Sequence, residues 1–373
     1  MRKRAPVTSD FCLLPSAFCS STFNLRLLLW VILSSVLPLA NPEIIDIRRF
    51  KSGDFRLLLD AESMVWGEAL RWNYASASRL VSTCLEEKRL AGYALLNDGG
   101  IDGYGFFFYE AEKALIGDLF VMPGGDAKDR AVVLLERVLE TLLATPGLSR
   151  VEAQLPHFHL EDLDPCFRAH GFESYLRRFM AVPLFGWDRP ADRSGSSLHG
   201  GANPRAMREA WVSRDFLIEP WERRHDHQVA QLIYHTYHHH VDGLINDQYT
   251  SAEGATRLME TITEMGGCGE YLRDESCVAL HRPTRSVAAL LALTAVRPRR
   301  TAHIPQVAVA REFQGMGLGT ALMERAFTRL AAKGFQEVSL TVTDLNAGAV
   351  RLYERLGFTA FQTFGAFVWN RPD

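Results

Sequence analysis

The sequence of 373 residues lacks several features that would assign it to a functional class at once. It has little excess charge, since its formal net charge is −3 at pH 7, and this gives no electrostatic reason to expect a nucleic-acid partner. Its six cysteines form no C-x-x-C pair, so they predict reduced thiols, with neither a disulfide framework nor a metal site. The apolar run at residues 27–40 is shorter than the roughly 20 residues that a membrane-spanning helix needs.

The first 43 residues differ in character from the rest of the chain. They begin with the basic segment MRKR and contain the apolar run LLLWVILSSVLPLA. The run has the length of a signal-peptide core, but the segment before it is very long and Pro38 lies close to its end. Residues 1–43 are therefore interpreted as a leader. Three readings stay open: a signal or anchor, a poorly ordered segment, or an over-extended gene start.

Beyond the leader, the hydrophobic pattern predicts two domains of about 150 residues each. Their predicted bounds are residues 44–185 and residues 213–373. The segment between them, residues 186–212, is rich in glycine, proline and serine and is interpreted as a linker.

The two predicted domains have the same order of elements. Each has strands, a loop, a helix, a strand, a short helix that ends in Gly-Phe, and a last strand, which is RRFMAVPLF in the first domain and FQTFGAFVW in the second. Glu136 corresponds to Glu324, and Gly171 corresponds to Gly357. The chain therefore contains an internal duplication at the scale of a domain.

The second domain has a glycine-rich loop in the segment REFQGMGLGTALMER, between a strand and a helix. Closely spaced glycines let backbone N–H groups converge, and a helix N-terminus adds partial positive charge, so the loop predicts a phosphate site. Two nucleotide motifs do not fit. A P-loop needs a lysine before Thr320, and a dinucleotide fingerprint needs a third glycine where Thr320 stands.

A second motif follows the loop about 27 residues later, in the segment NAGAVRLYERLGF. The pair resembles the GNAT superfamily of acyl-CoA-dependent N-acetyltransferases, in its Q/R-x-x-G-x-G/A loop and its N-x-x-A-x-x-L-Y-x-x-x-G-F segment. The resemblance implies an α/β fold made of two tandem GNAT-like domains. Each would have a twisted, mostly antiparallel sheet with a splayed central pair of parallel strands, flanked by helices.

The resemblance also implies acetyl-CoA as acyl donor, without a metal. Backbone groups of Val307 and Val309 would pair with the pantetheine arm, and Asn346 would contact the donor. Tyr353 would act as general acid and protonate the departing thiolate. The pyrophosphate would be bound by the backbone amides of Gln314, Gly315, Met316, Gly317, Leu318, Gly319 and Thr320.

The acceptor side is less sharply defined by the sequence. Candidates for holding a cationic amine are Asp242, Asn246, Asp247 and Tyr249, and simple loop polarity is the alternative interpretation. The general base is either His303 or a water relay. His235 and His239 have the spacing of a metal-binding pair, but no third ligand accompanies them, so they predict a solvated face or a wall of the acceptor cleft.

The first domain lacks the residues that this chemistry uses. The glycine loop is replaced by DAKDRA at residues 126–131, whose two carboxylates would repel a pyrophosphate. Phe167 falls at the position of Tyr353, and Leu160 falls at the position of Asn346. We therefore expect this domain to be a degenerate copy without acetyl-CoA chemistry.

Together these features predict an N-acetyltransferase that moves an acetyl group to a primary amine by direct attack in a ternary complex, with its active site in the second domain. The acceptor would be a small-molecule or peptide amine. Because acetyl-CoA is made in the cytosol, the expected location is cytoplasmic, and no membrane partner is expected. The alternative is a non-catalytic acyl-CoA-binding or interaction module.

Overall fold

The structure is a computed structural model that describes residues 42–97, 99–185, 204–264, 268–296 and 300–372. Contacts divide the chain into two compact units. Unit 1 comprises Met1–Arg177 together with Thr363–Asp373, and unit 2 comprises Arg178–Gln362. Nearly all of the predicted leader lies outside the described residues. None of the helices in the described ranges is both long enough and apolar enough to cross a membrane.

Unit 1 has a sheet with four helices along its chain. The strands are β1 (Glu43–Asp46), β2 (Ala91–Asn97), β3 (Gly100–Glu110), β4 (Lys113–Val121), β5 (Arg150–Leu155) and the first part of β6 (Glu173–Pro183). The helices are α1 (Arg56–Glu68), α2 (Ala75–Glu86), α3 (Ala127–Leu143) and α4 (Leu160–Ala169). The sheet order is β1-β2-β3-β4-β5, followed by the end of β13 (Thr359–Asn370).

Unit 2 repeats this plan with additional short elements. Its helices are α5 (Pro204–Asp215), α6 (Asp226–Tyr237), α7 (Val241–Ile245), α8 (Ala252–Thr263), α9 (Leu318–Ala332) and α10 (Ala347–Arg355). Its strands after β6 are β7 (Phe216–Pro220), β8 (Glu270–Tyr271), β9 (Cys277–His281), β10 (Val287–Val296), β11 (Thr301–Val309), β12 (Glu337–Thr343) and the start of β13. The sheet order is β6-β12-β11-β10-β9-β7, and β8 pairs with β10.

Both sheets are mixed, which confirms the predicted α/β fold. In unit 1 the parallel pair is β4 with β5, and in unit 2 it is β11 with β12. The core of unit 2 explains its stability. Every residue of β10 is buried, and α9 places Leu322 and Phe327 against the sheet with no exposed surface. Burial of such side chains contributes roughly 1.5–3 kcal/mol each.

The unit boundaries fall within the last strand of each predicted domain, and not at the predicted domain bounds. The segment Arg178–Gln362 belongs to unit 2, where the Leu184 N–H donates to the carbonyl of Gln336. The C-terminal segment belongs to unit 1, where Gly365 to Asn370 pair antiparallel with β5. The sequence could not reveal this assignment, because both halves end in a strand of the same pattern.

The predicted linker also needs a correction. Residues 186–203 lie outside the described ranges, but its last part belongs to helix α5. Val212 is buried in the core of unit 2, and Trp211 packs against that core. The prediction was wrong here because the many polar residues of α5 outweigh its few apolar ones in composition.

Candidate active site

The central strands of unit 2 separate part of the way along their length. β11 and β12 are paired in parallel from Thr301 with Glu337 to Ile304 with Leu340, where their parallel pairing ends. β11 continues to Val309 and β12 to Thr343. Unpaired strand edges leave N–H and C=O groups directed into the opening, so the separation creates a slot that an extended ligand can occupy as an extra strand.

The backbone of β11 presents two residues to this slot. The Ala310 N–H donates to the carbonyl of Ala288 in the neighbouring segment, at 2.8 Å. Because antiparallel strands alternate the direction of their backbone groups, those of Val307 and Val309 point away from β10. Their carbonyls accept from Tyr237 Oη at 2.5 Å and Gln314 Nε2 at 2.9 Å, respectively. The N–H groups of Val307 and Val309 therefore face the slot.

The glycine loop lies between β11 and α9. A single 3-10 turn leads to Gln314, and Gly315 and Gly317 both adopt left-handed backbone angles, with φ of 75° and 89°. Such angles favour glycine, because a Cβ atom would clash with the backbone. α9 begins at Leu318, so the first amides of this helix lack intrahelical acceptors. The loop therefore offers the convergent N–H groups of an anion site.

Tyr353 and Asn346 both belong to the helix that follows β12. Asn346 Oδ1 accepts from the Ala349 N–H at 3.2 Å and so caps the N-terminus of α10. Tyr353 is buried in this helix. Burial raises the pKa of Tyr353 above its ordinary value, and the Asp242 carboxylate raises it further. The hydroxyl is therefore protonated at neutral pH, as an acid must be before it acts.

A polar cluster formed by α6, α7 and the loop after them lies at the open end of the slot. Asp242 accepts from Thr343 Oγ1 at 2.5 Å and lies 3.1 Å from His240 Nδ1. Tyr249 donates to Gln306 Oε1 at 2.8 Å, and its ring stacks on Tyr237 at 4.7 Å. Two predicted acceptor residues, Asp242 and Tyr249, thus belong to it.

Four members of this cluster were not singled out in the sequence, namely His240, Gln306, Tyr237 and Thr343. Gln306 is the one polar side chain in the strand segment PQVAVA, which is a signal that could have identified it. Tyr237 and Thr343 carry no such signal, because an aromatic residue on a helix and a threonine at the end of a strand are ordinary structural choices.

Other predicted residues have local structural partners. Asn246 Oδ1 accepts from the Gln248 N–H at 3.0 Å and caps a 3-10 turn at Asp247–Tyr249. His303 lies where β11 and β12 are still paired, 3.0 Å from Ser339 Oγ, and burial lowers its pKa to about 3. Such a low pKa argues against His303 as a general base at neutral pH. His235 belongs to neither of the metal-type clusters found in the described ranges.

Unit 1 repeats the partial pairing of the parallel strands, and buried side chains contact the strand that continues beyond it. β4 and β5 also pair over four residues, from Lys113 with Arg150 to Ile116 with Ala153. By this register Asp118 corresponds to Gln306, and it accepts from Tyr74 Oη at 2.9 Å, as Gln306 accepts from Tyr249. Trp66 stacks on Tyr74 at 5.4 Å. A tyrosine contact at this strand position is therefore present in both units, and in unit 1 Tyr74 and Asp118 are buried.

The residues of unit 1 that replace the donor site also have structural roles. Phe167 is fully buried and stacks on Phe367 at 3.8 Å, so it is a core residue without a hydroxyl. Leu160 begins α4, whose cap is His159. The expected repulsion by carboxylates needs refinement, because Arg130 pairs with Asp126 at 3.0 Å and offsets its charge. A buried arginine thus contacts the loop, and no glycine remains in DAKDRA.

A mixed sheet with one separating parallel pair, and a glycine loop that opens the next helix, defines a GNAT-type fold in unit 2. Residues 233–358 match the model of the Acetyltransferase (GNAT) family. The C-terminal half of the chain therefore contains a segment that matches the GNAT family. This confirms the resemblance seen in the sequence.

Solved structures show the same fold across both units. A GCN5-related N-acetyltransferase from Sphaerobacter thermophilus has a TM-score of 0.58 at 15% identity, covering 90% of this chain and 98% of its own. A tandem GNAT protein from the clavulanic acid biosynthesis pathway has a TM-score of 0.55 at 15% identity, covering 89% of this chain and 100% of its own. The architecture is thus shared with tandem GNAT proteins.

Sequence relatives match over short stretches. A mycothiol acetyltransferase of Thermobispora bispora is 47% identical over 53 residues, which is 14% of this chain and 18% of that protein. N-alpha-acetyltransferase 30 of Schizosaccharomyces pombe is 30% identical over 71 residues, which is 19% of this chain and 47% of that protein. An uncharacterized N-acetyltransferase of Methanocaldococcus jannaschii is 38% identical over 63 residues, which is 17% of this chain and 28% of that protein. The chain thus spans less than half the length of each.

Proposed function

We propose that the protein is an acetyl-CoA-dependent N-acetyltransferase that acetylates a primary amine by direct attack, with its active site in unit 2. The observation that carries this proposal is the separation of β11 from β12 beyond Ile304 and Leu340, with the glycine loop following β11. A slot lined by the backbone of separated strands holds an extended arm, and a helix N-terminus holds the phosphates attached to it.

The donor side uses backbone groups of this chain. The Val307 and Val309 N–H groups hold the pantetheine arm and orient the acetyl carbonyl, and the amides from Gln314 to Thr320 bind the pyrophosphate. Fixed donors of this kind cost no reorganisation at the moment of reaction. The cap formed by Asn346 keeps α10, and with it Tyr353, in register with the slot.

Tyr353 serves as the general acid. The amine nitrogen forms a bond to the acetyl carbon, the carbon–sulfur bond breaks, and the tyrosine hydroxyl gives its proton to the departing thiolate. The raised pKa of Tyr353 keeps this proton in place in the resting protein. Positive charge that develops on the attacking nitrogen then lowers the pKa of Tyr353 at the moment when the proton is needed.

Asp242 holds the amine and His240 carries its proton away. The Asp242 side chain is 14% exposed, and it has an electrostatic influence on Tyr353, which places a negative charge beside the acid. An ammonium group is attracted to such a carboxylate. His240 lies 3.1 Å from Asp242 and is 31% exposed, so it offers a path for the released proton to solvent. Tyr249 and Gln306 form the wall of this cleft.

The acceptor is proposed only as a class, a primary amine on a small molecule or a peptide. Relatives of this chain have different names, a mycothiol acetyltransferase in one case and an N-alpha-acetyltransferase in another. Fold similarity does not choose between acceptors. Because acetyl-CoA is the donor, we propose that the reaction takes place in the cytoplasm.

The test is release of free thiol from acetyl-CoA over a panel of amino acids, polyamines, aminoglycosides and peptides with free N-termini. The proposal expects release with at least one amine, and a higher KM for that amine in Asp242→Asn with unchanged acetyl-CoA affinity. Binding of acetyl-CoA without release for any amine would favour the alternative, a non-catalytic acyl-CoA-binding module. Lack of acetyl-CoA binding would refute both.

A further inference from the structure

Unit 1 also has a cluster of three different donor side chains. Glu136 extends from α3, while Cys166 and His170 lie one helical turn apart at the end of α4. The carboxylate, thiol and imidazole offer donor atoms that all lie within 4.8 Å of one another. From this cluster we infer that unit 1 binds one divalent transition-metal ion of the zinc type through Glu136, Cys166 and His170.

The two distances from Glu136 to the other donor atoms are each close to those of a tetrahedral site. Bonds of about 2.3 Å to sulfur and about 2.0 Å to nitrogen or oxygen place sulfur and oxygen about 3.5 Å apart, and nitrogen and oxygen about 3.3 Å apart. The observed separations are 3.4 Å from Cys166 Sγ to Glu136 Oε1 and 3.2 Å from His170 Nε2 to Glu136 Oε2. The two contacts use different oxygens of Glu136, so the carboxylate has to rotate, or bind through both oxygens, to complete the ligand set.

The orientation of His170 supports this inference. Its Nδ1 atom lies 2.9 Å from the carbonyl oxygen of Cys166, so Nδ1 carries the proton and donates it. This leaves the lone pair of Nε2 for a metal, and metal-binding histidines commonly have such a backbone partner. Coordination also requires the thiolate, so binding transfers the thiol proton of Cys166 to the buffer.

The environment allows an ion to enter. Cys166 is buried, but the side chains of His170 and Glu136 are 22% and 42% exposed. Three protein ligands leave a fourth position for water, as in open zinc sites. A mixed set of sulfur, nitrogen and oxygen donors favours zinc over magnesium or calcium, which prefer oxygen alone.

The donor set is particular to the N-terminal copy. By the correspondence between the two halves, Glu136 matches Glu324, while Cys166 and His170 match Leu352 and Leu356. In unit 2, Glu324 pairs with Arg208 at 3.0 Å instead. The copy that lost the glycine loop thus gained two donors on α4. The sequence predicted no metal because it has no C-x-x-C pair and because His235 and His239 have no third ligand. Neither criterion detects a site whose ligands come from two helices.

The test uses the full chain after treatment with a chelator. Titration with Zn²⁺ against a chromogenic competitor should report a site that weakens at least about tenfold in both Cys166→Ser and His170→Gln. Replacement of zinc by Co²⁺ should give a sulfur-to-cobalt charge-transfer band in the near ultraviolet, which Cys166→Ser removes. Glu136→Gln, at a half-exposed position, is a further ligand variant for which misfolding is not expected.

Two controls separate this site from other sites that attract metals. His157→Gln alters the buried cluster Glu62, Asp118 and His157, and it should leave zinc affinity unchanged. His239→Gln alters the histidine-rich segment HTYHHH and should also leave it unchanged. The inference is overturned if the wild-type protein gives no thiolate band with Co²⁺, or if zinc affinity survives in both Cys166→Ser and His170→Gln.

Discussion

The side chain of Arg208 lies directly over the backbone of Gly317. A Cβ atom added at Gly317 would be 2.4 Å from Cδ of Arg208, closer than real Cβ contacts come. The guanidinium of Arg208 is held by two hydrogen bonds to Glu324, at 3.0 and 3.1 Å. Helix α5 therefore packs its arginine between the glycine loop and α9. Because Gly317 has no side chain, it can adopt a φ of 89° and also allow the close approach of Arg208.

The three glycines of the loop should differ in how they tolerate alanine. Gly317→Ala should lower the free energy of unfolding most, because it adds strain of about 1–2 kcal/mol from the left-handed φ and a contact with Arg208. Gly315→Ala should cost only the strain, since its Cβ would meet open space. Gly319→Ala should cost little, because its contacts are ordinary and the residue is helical.

Urea unfolding of the three variants checks this order. Arg208→Ala in the Gly317→Ala background should recover the packing part of the loss but not the strain. Equal losses for Gly317→Ala and Gly319→Ala would contradict the account of the loop.

Removal of the Tyr353 hydroxyl should separate turnover from binding. Tyr353→Phe keeps the buried ring but removes the proton donor, so kcat should fall by roughly 10²–10⁴-fold. The dissociation constant for acetyl-CoA should not change, because the hydroxyl acts on the departing sulfur. Steady-state kinetics with calorimetry on the same samples measures both, and an unchanged kcat would exclude Tyr353 from the mechanism.

The buried acid pair of unit 1 should make stability depend on pH. Burial raises the pKa of Glu62 to about 7 from an ordinary value of 4.5, and burial also raises the pKa of Asp118. The folded protein then binds more protons than the unfolded chain, so the Glu62 contribution to stability is lost as pH rises from about 4.5 to about 7. The loss is at most about 3 kcal/mol.

Comparison with Glu62→Gln measures this contribution together with its coupling to Asp118, whose pKa is also raised by Glu62. Burial lowers the pKa of His157, and this change works in the opposite direction below pH 6.5, but it is present in both proteins. The difference in free energy of unfolding, wild type minus Glu62→Gln, should therefore fall between pH 5 and pH 7.5. A difference that stays constant or rises over this range would show that Glu62 is ionised in the folded state.

The fold of each half could be predicted from the sequence, and so could the position of the glycine loop between β11 and α9. These features depend on residues that are close together in the chain, so the sequence shows them directly. They are the strand patterns, the helix after the glycines and the motif from Asn346 to Phe358. The sequence could not predict which unit contains the end of each of these strands, because β6 and β13 have similar hydrophobic patterns. Contacts between distant residues, such as Tyr249 with Gln306 or Arg208 with Gly317, depend on packing that no spacing encodes.

The role of His303 illustrates a second limit. Its place in the strand that leads to the donor slot made it a candidate base in the sequence. The structure puts it beside Ser339, before the strands separate, in surroundings that lower its pKa. The burial of His303 within the sheet sets its pKa, and a sequence pattern does not show how deeply a residue is buried.

Calorimetric titration of the full chain with acetyl-CoA tests the central claim most directly. The account predicts one site per chain, lost in Gly317→Asp because a carboxylate would enter the pyrophosphate site, and kept in Gly125→Asp. Gly125 precedes the corresponding loop of unit 1, and a Cβ atom there meets no other atom within 4 Å. Two equivalent sites per chain, or binding that survives Gly317→Asp, would contradict an active site confined to unit 2.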